Sequence, residues 1–434
     1  MARGNGNRVM AGATKIINAA VCPFCACLCD DIVISLKNNE IEEIRNACRF
    51  GVEKFYSYRR PRLKYPRVEG RDGGYKEAIS KAAEILNGAN KPLIYGLSNS
   101  SYEAQRVALE IAKRRRGVLD ISESICHNLL YARLKKYPFY YALLDEIREK
   151  ANVIVYWGSN PFISHPRHLS RYSVYPTGRY AMKGVTDRDI IVIDVVESEV
   201  KKRWLLQVKP GDDVRIADII TRLISGERVE RWEKDIDVEI GIDTLKEIED
   251  KLKRALYGVI FVGLGVLASE NAGHTLEAIL ALVDALNKEG AKYVLFPMKG
   301  HYNVMGAVQL LMRETGYPFG LDFSRENIFE PGKTTVMDVI EDVDAALIVG
   351  ADPVASFPGD KVKRLAEIPL IVIDPFETPT TSLASVVLPT AITGVEAEGI
   401  AYRMDGLPLK LDKIVNSEYP TDIEVLEGIY RSLK

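Results

Sequence analysis

Glutamine, tryptophan, histidine and cysteine are the scarce residues of this 434-residue chain, with three, three, five and six copies. So little glutamine beside abundant Lys, Arg and Glu suits a protein kept at high temperature. An excess of one charge is also missing. The formal net charge is -2, so the total implies neither a polyanion nor a membrane surface as partner. No apolar run approaches the ~18 residues of a membrane span. Residues 1–20 are rich in Gly and Asn without an apolar stretch, which argues against a secretory signal and predicts a disordered lead-in. Without export, a disulfide framework is not expected and a reducing cytoplasm is. No Gly-x-Gly-x-x-Gly follows a strand-like run, which disfavours a simple nicotinamide-dinucleotide enzyme. Arg114-Arg115-Arg116 closes a helix, where cations favour the negative end of the dipole; nucleic-acid binding is not expected.

What is present begins with the cysteines, five of which fall between Cys22 and Cys48. Cys22, Cys25, Cys29 and Cys48 read as C-x2-C-x3-C-x18-C, three thiols on one tight loop and one from a distance. A cubane iron–sulfur cluster takes four thiolates at the corners of a tetrahedron, which this arrangement supplies. A structural zinc site is the rival, although its usual second C-x2-C pair is missing. Unligated core cysteines are the third reading. Cys27 breaks the pattern and is expected to point away from the metal.

Beyond the cysteines, two short strands flank the Lys37-Asn38-Asn39-Glu40 turn, and Arg59 to Pro66 reads as an extended linker. Unbroken apolar runs then recur at Leu93–Gly96, Val153–Gly158, Ile190–Asp194, Val259–Gly263, Tyr293–Phe296, Ala346–Gly350 and Leu370–Asp374. Amphipathic stretches such as Glu103–Arg114 and Ala272–Leu286 separate most of them. That rhythm predicts an α/β protein of parallel sheets covered on both faces. Two segments echo each other in register: Gly158-Ser159-Asn160-Pro161 and Gly350-Ala351-Asp352-Pro353, each after a strand. Each is followed by a second strand, closing at Asp194 and Asp374. Ligands of open parallel sheets sit at the carboxyl ends of strands, where these turns fall. Gly158, Asn160, Pro161, Asp194, Gly350, Asp352, Pro353 and Asp374 are therefore candidate nucleotide-binding residues. Ordinary turn chemistry is the alternative.

The sixth cysteine, Cys126, stands beside His127. A nucleophile, a soft-metal ligand and a buried apolar residue are all open readings. A second polar junction, Lys299-Gly300-His301-Tyr302-Asn303, favours a metal ligand flanked by proton carriers.

These motifs, with Trp157-Gly158-Ser159-Asn160-Pro161, His165-Pro166-Arg167-His168 and Glu396-Ala397-Glu398-Gly399, resemble the molybdopterin oxidoreductase superfamily. Within it the chain is most similar to the B-subunit family of formylmethanofuran dehydrogenases, from about Val21 to the C-terminus. The resemblance implies a small iron–sulfur domain over 21–70 and a pterin-binding lobe over 71–122 and 300–434. A second, inserted lobe would span 123–299, making two doubly wound sheets without a C-terminal β-barrel. It implies a four-iron–four-sulfur (4Fe–4S) cluster on Cys22, Cys25, Cys29 and Cys48, and tungsten or molybdenum on Cys126 with two molybdopterin guanine dinucleotides. His301 and Asn303 become further cofactor contacts, and Cys126, His127 and Lys299 the catalytic set. The implied reaction reduces carbon dioxide to formate, reversibly. The implied partners are a small β-barrel subunit, an amidohydrolase-like subunit and a ferredoxin-like electron carrier. The family places Arg where this chain has Lys299, exchanging a bidentate grip for a point charge. That keeps open a formate dehydrogenase-like enzyme with another electron partner, and a redox-inactive structural subunit of a formyltransferase/hydrolase-type complex is a further alternative.

Overall fold

Parallel strands cannot be joined by tight hairpins, so each crossover needs a covering segment. In this chain the crossovers build two sheets, one nested within the sequence of the other. The computed structural model describes residues 14–126, 130–131, 140–197, 205–228, 240–267 and 271–434; Cys126 is described in its backbone alone.

The larger sheet has eight strands. Val118–Ile121, Pro92–Gly96, Ala345–Val349, Leu370–Ile373 and Val386–Leu388 run parallel, in that spatial order. Short antiparallel strands close both edges: Leu321–Asp322 on one side, the hairpin Arg67–Val68/Arg71–Asp72 on the other. The hairpin carries this sheet to the N-terminal side of the expected boundary at residue 70. Alternation along a strand sends successive side chains to opposite faces. Ile94 thus packs under the helices Tyr75–Gly88, Tyr102–Arg115 and Asp422–Ser432, and Leu93 and Tyr95 under Val336–Val339 and Gly359–Ala366.

The second sheet has five parallel strands, ordered Leu205–Gln207, Asp189–Asp194, Val153–Trp157, Gly258–Val262, Tyr293–Pro297. All lie between Ile121 and Ala345 in sequence, so this lobe is the insertion. Val153, Val155 and Trp157 face the helices Asp213–Ile224, Ile242–Lys253 and Ala272–Lys288. Ile154 and Tyr156 face the other way, into a core shared with Ile32, Ile34 and Phe55 of the cysteine domain.

That domain is a three-stranded antiparallel sheet of Lys15–Ala20, Ile32–Lys37 and Glu40–Arg45. Asn38 and Asn39 both have positive φ, the turn that matches hairpin twist. The lead-in expected to be disordered over 1–20 thus contains a strand. Its side chains are mostly exposed, so no apolar alternation announced it. A last hairpin, Gly399–Tyr402/Pro408–Leu411, packs against the helices Tyr102–Arg115 and Val304–Thr315. Among the described residues, no helix is long and apolar enough to cross a membrane.

Candidate metal and cofactor site

Cys22, Cys25, Cys29 and Cys48 line one small cavity, closed by Phe24, Ala47 and the segment His165–Arg167. Leu28 has φ +38, a left-handed turn between Cys27 and Cys29 that curls the loop upon itself. Cys22 N–H donates to Cys29 O at 2.9 Å and Leu28 N–H to Cys25 O at 3.0 Å. Cys48 arrives as the N-cap of the helix Arg49–Tyr56, with Gly51 N–H donating to its Sγ at 3.5 Å. A helix N-terminus favours a thiolate there. A Cβ on Gly51 would stand 3.0 Å from Cys22 Sγ and 3.9 Å from Cys48 Sγ, so the glycine leaves these two sulfurs their room. Burial pushes the Cys22 thiol well up and the Cys29 thiol to about 12, neighbouring sulfurs adding to both. Neutral thiols rest easily when buried; it is their convergence on one cavity that fits a metal cluster, whose positive charge would offset the cost of ionising them.

Cys27 does not point away, as its spacing predicts. Its thiol hydrogen-bonds that of Cys25 and lines the same cavity, and Cys25, Cys27 and His165 present ligand atoms within 4.8 Å of one another.

Bonds to both lobes hold this loop. Asp30 and Asp31 form ion pairs with Arg171 and Arg167 of the inserted lobe, one of them 2.7 Å from Arg167 Nη2 to Asp31 Oδ2. Met404 N–H donates to Ala26 O at 2.8 Å. Cys25 bridges His301 in antiparallel fashion, with Ala26 N–H donating to Gly300 O at 3.2 Å. The cysteine loop is therefore docked on the turn that follows Lys299.

The echo in the sequence is an echo in geometry. Gly158 N–H donates to Ile193 O at 2.8 Å, and Gly350 N–H to Ile373 O at 2.9 Å; their φ values are +55° and +59°. Each turn leads into a four-residue helix with proline at its start, Pro161–Ser164 and Pro353–Ser356. Asp194 and Asp374 each accept from the backbone two residues on, Val196 and Phe376.

Gly350 and Asp374 line a cavity of about 260 Å³ with Asn99, Lys54, Tyr302 and Asp422. Burial pushes the Asp374 carboxyl up to about 6. Gly158 and Asn160 line a second cavity of about 380 Å³, between the lobes, with Glu123, Gly263, Gly300 and His301. Asn160 Oδ1 is buried with no hydrogen-bond partner among the described residues, which fits a cofactor donor. Asp352 has other work: its Oδ1 accepts from Thr380 N–H at 3.1 Å and from Ala355 N–H, capping the short helix. Asn303 is fully buried and staples the scaffold, donating to Ser100 O at 2.7 Å and accepting from Tyr402 N–H at 2.8 Å. Asp194 lies outside the second cavity's wall.

Lys299, expected to grip a substrate, is 2 % exposed and turns to the Glu123 carboxylate and the Tyr131 hydroxyl. Glu123, rather than Lys299, lines the cavity. The Cys126 side chain and His127 lie outside the described residues; the Cys126 backbone ends the short helix Glu123–Cys126.

His165 forms part of both the cysteine cavity and the inter-lobe cavity. Its Nε2 lies 2.8 Å from Lys299 O, an acceptor, so Nε2 carries the proton; Nδ1 is 2.8 Å from Ser164 Oγ. Burial holds it below the usual histidine range. Sequence reasoning passes over Gly263 and Gly265. A Cβ on either would collide with Gly158 O. The signal was there: with Ala268 they form G-x-G-x-x-A after the strand Gly258–Val262.

The profile of the family described as Molybdopterin oxidoreductase matches residues 135–421. The chain belongs to that family. It is an oxidoreductase. Over 97 % of its length it is 37 % identical to the B subunit of the tungsten-containing formylmethanofuran dehydrogenase 2 of Methanocaldococcus jannaschii, covering 99 % of that protein. The corresponding protein of Methanococcus maripaludis is 36 % identical over 96 % of this chain and 99 % of the relative. The alpha subunit of an F420-dependent formate dehydrogenase from M. jannaschii is 24 % identical over 87 % of this chain and 64 % of its own length. A chain of the Methylorubrum extorquens formyltransferase/hydrolase complex, solved with methylofuran, shares the fold, with TM-score 0.68 and 19 % identity over 85 % of this chain and 98 % of that one.

Proposed function

We propose that this chain is the metal-bearing subunit that interconverts carbon dioxide and formate, the formate then supplying formylmethanofuran in methanogenesis or related one-carbon metabolism. The cysteine loop holds a 4Fe–4S cluster on Cys22, Cys25, Cys29 and Cys48. Cys126 would ligate tungsten or molybdenum, and the residues of each glycine turn would hold one pterin guanine dinucleotide. When bound, these groups supply the two-electron exchange with carbon. The chain's own residues do the rest. Gly158, Gly263 and Gly265 let backbone approach one dinucleotide, Asn160 offers it an acceptor, and Gly350 and Asp374 receive the other. His165 holds the Lys299 turn beside the cysteine loop.

The observation that carries this reading is His165, which lines both the cysteine cavity and the inter-lobe cavity; a cluster held in the first would stand beside the cavity that Gly158 and Asn160 line. Partners of the expected kinds would complete the assembly in the cytoplasm: a β-barrel subunit, an amidohydrolase-like subunit and a ferredoxin-like carrier. The test is anoxic purification of the native complex with metal analysis and an assay of formate production from carbon dioxide. Iron with neither tungsten nor molybdenum, or no formate, defeats it. A second reading, a formate dehydrogenase with another electron partner, is favoured by the engagement of Lys299 with Glu123. A loaded complex that oxidises formate but never forms formylmethanofuran would select it.

A further inference from the structure

Five thiols converge on a cavity where a four-iron cluster would need four. With Cys22, Cys25, Cys29 and Cys48 as its ligands, Cys27 is left over, yet the fold brings it in. It is 1 % exposed and lines the cavity, and its sulfur lies within 4.8 Å of the Cys25 sulfur and of a ring nitrogen of His165. The turn that places it holds Leu28 at φ +38, a left-handed conformation unfavourable to so large a side chain. Strain of this kind persists where the placement it gives is used.

Two groups of Cys27 donate to the Cys25 sulfur, the backbone N–H and the thiol. Once Cys25 binds iron it has no proton to give, so the thiol bond runs one way, from Cys27 S–H to Cys25 Sγ. Ionising Cys27 instead would leave a thiolate among core side chains with no metal of its own. His165 does not compete as a donor. Its one ring proton goes to Lys299 O, and its other nitrogen faces Ser164 Oγ.

We propose that the Cys27 thiol is a hydrogen-bond donor to the cluster through the Cys25 sulfur, and that it sets the potential at which the cluster accepts an electron. This rests on the four-iron reading of the cysteine loop and gives the fifth cysteine a role within it. Reduction adds negative charge to the cluster and its sulfurs, and a donor fixed in a buried site answers that charge. The bond is stronger in the reduced state, so removing it favours the oxidised one.

The test is a redox titration of the anoxic complex followed by electron paramagnetic resonance, with Cys27→Ala and Cys27→Ser beside the unaltered chain. All three should hold the same iron per chain. Clusters of other subunits are common to all three and cancel in the comparison. At the midpoint of the unaltered protein, the ratio of reduced to oxidised cluster should fall roughly threefold to tenfold in Cys27→Ala. Cys27→Ser, which keeps a hydroxyl donor, should restore most of that ratio. The unaltered complex gives a second measurement, because Cys27 is then the one cysteine of this chain that keeps its proton. Its reduced-minus-oxidised infrared spectrum should carry an S–H band, lower in frequency when reduced, moved by deuterium oxide and missing from both variants. An unchanged ratio in Cys27→Ala, an equal fall in Cys27→Ser, or no such band overturns the proposal. Iron loss from both variants also overturns it, by making Cys27 a ligand. Each of these results leaves the cluster standing; an unaltered complex without a four-iron signal removes the cluster reading and this proposal with it.

Discussion

Arg403 offers the clearest test of how the lobes are held around the site. It is 1 % exposed, and its guanidinium donates to Asp405 from Nε at 2.8 and 3.0 Å and from Nη2 at 2.6 Å. Nη2 also reaches Asp145 at 2.6 Å, at the start of the inserted lobe, and Asp405 accepts from Leu144 N–H at 2.8 Å. The cluster therefore ties the C-terminal hairpin to the inserted sheet, next to the cysteine loop. Arg403→Met leaves the Asp405 carboxylate buried without its cation. Removing one partner of such a pair costs about 3–5 kcal/mol. For a lobe of this size that is a fall in melting midpoint of roughly 6–20 °C. Asp405→Asn should cost less, because Arg403 keeps Asp145 and the amide oxygen can still accept from Leu144. The double variant Arg403→Met/Asp405→Asn carries no buried charge and should recover part of the loss, so the two changes are not additive. Thermal unfolding of the anoxic complex, with hydrogen exchange over the helix Leu144–Lys150, reads both. A loss under about 1 kcal/mol, or a double variant as costly as the sum, refutes the reasoning.

Other expectations are as specific. Cys48→Ser and Cys22→Ser should lose the iron, whereas Cys27→Ser should keep it, measured as iron per chain and by electron paramagnetic resonance; iron loss in Cys27→Ser would make it a ligand. Gly158→Ala should damage nucleotide retention more than Gly350→Ala, because its Cβ would meet Val266 N at 2.5 Å while the other meets nothing closer than Asn99 at 3.4 Å. GMP released on hydrolysis measures this, and equal retention counts against the close approach. Burial works against ionisation of Asp31, but Arg167 and Arg171 outweigh it and hold the carboxyl below its usual range. Its contribution is thus present above the unfolded value near 4 and lost as pH falls through the folded one. Asp31→Asn should flatten the acid limb of a stability profile, and an unchanged limb would deny the effect.

The sequence made the repeating plan legible because the plan is local. Apolar runs ending in Gly or Asp mark buried parallel strands, and Gly158 and Gly350 repeat because each turn needs a positive φ that glycine adopts freely. What it hid depends on distant partners. Val118–Ile121 carries Asp120, whose polarity breaks the apolar pattern. Folded, that carboxylate accepts from Gly320 and Val336 backbone N–H groups some 200 residues on, at 2.9 and 2.6 Å. Lys299 reads as a substrate-facing cation until Glu123, 176 residues earlier, claims it. Cys27 reads as a spare because the left-handed turn at Leu28, which sends its thiol inward, has no signature in leucine.

The division of labour in the site has a physical cause. The glycine turns belong to sheets, whose strands satisfy their own backbone, so those turns are free to lie open toward a ligand. The segments crossing between lobes have no sheet, and a buried backbone must be paired somewhere. They pair with each other and with side chains: Asn303 N–H donates to Ser98 O at 3.1 Å, Ala26 N–H to Gly300 O at 3.2 Å, and His165 Nε2 to Lys299 O at 2.8 Å. Satisfying the crossings thus draws together the cysteine loop, His165, the Lys299 turn and Glu123. Polar groups that no sheet could bury at low cost are buried there, already hydrogen-bonded. That is where charge can be held out of water and changed, and on the function proposed above it is why the chemistry would sit at the crossings and the cofactor cradles at the strand ends.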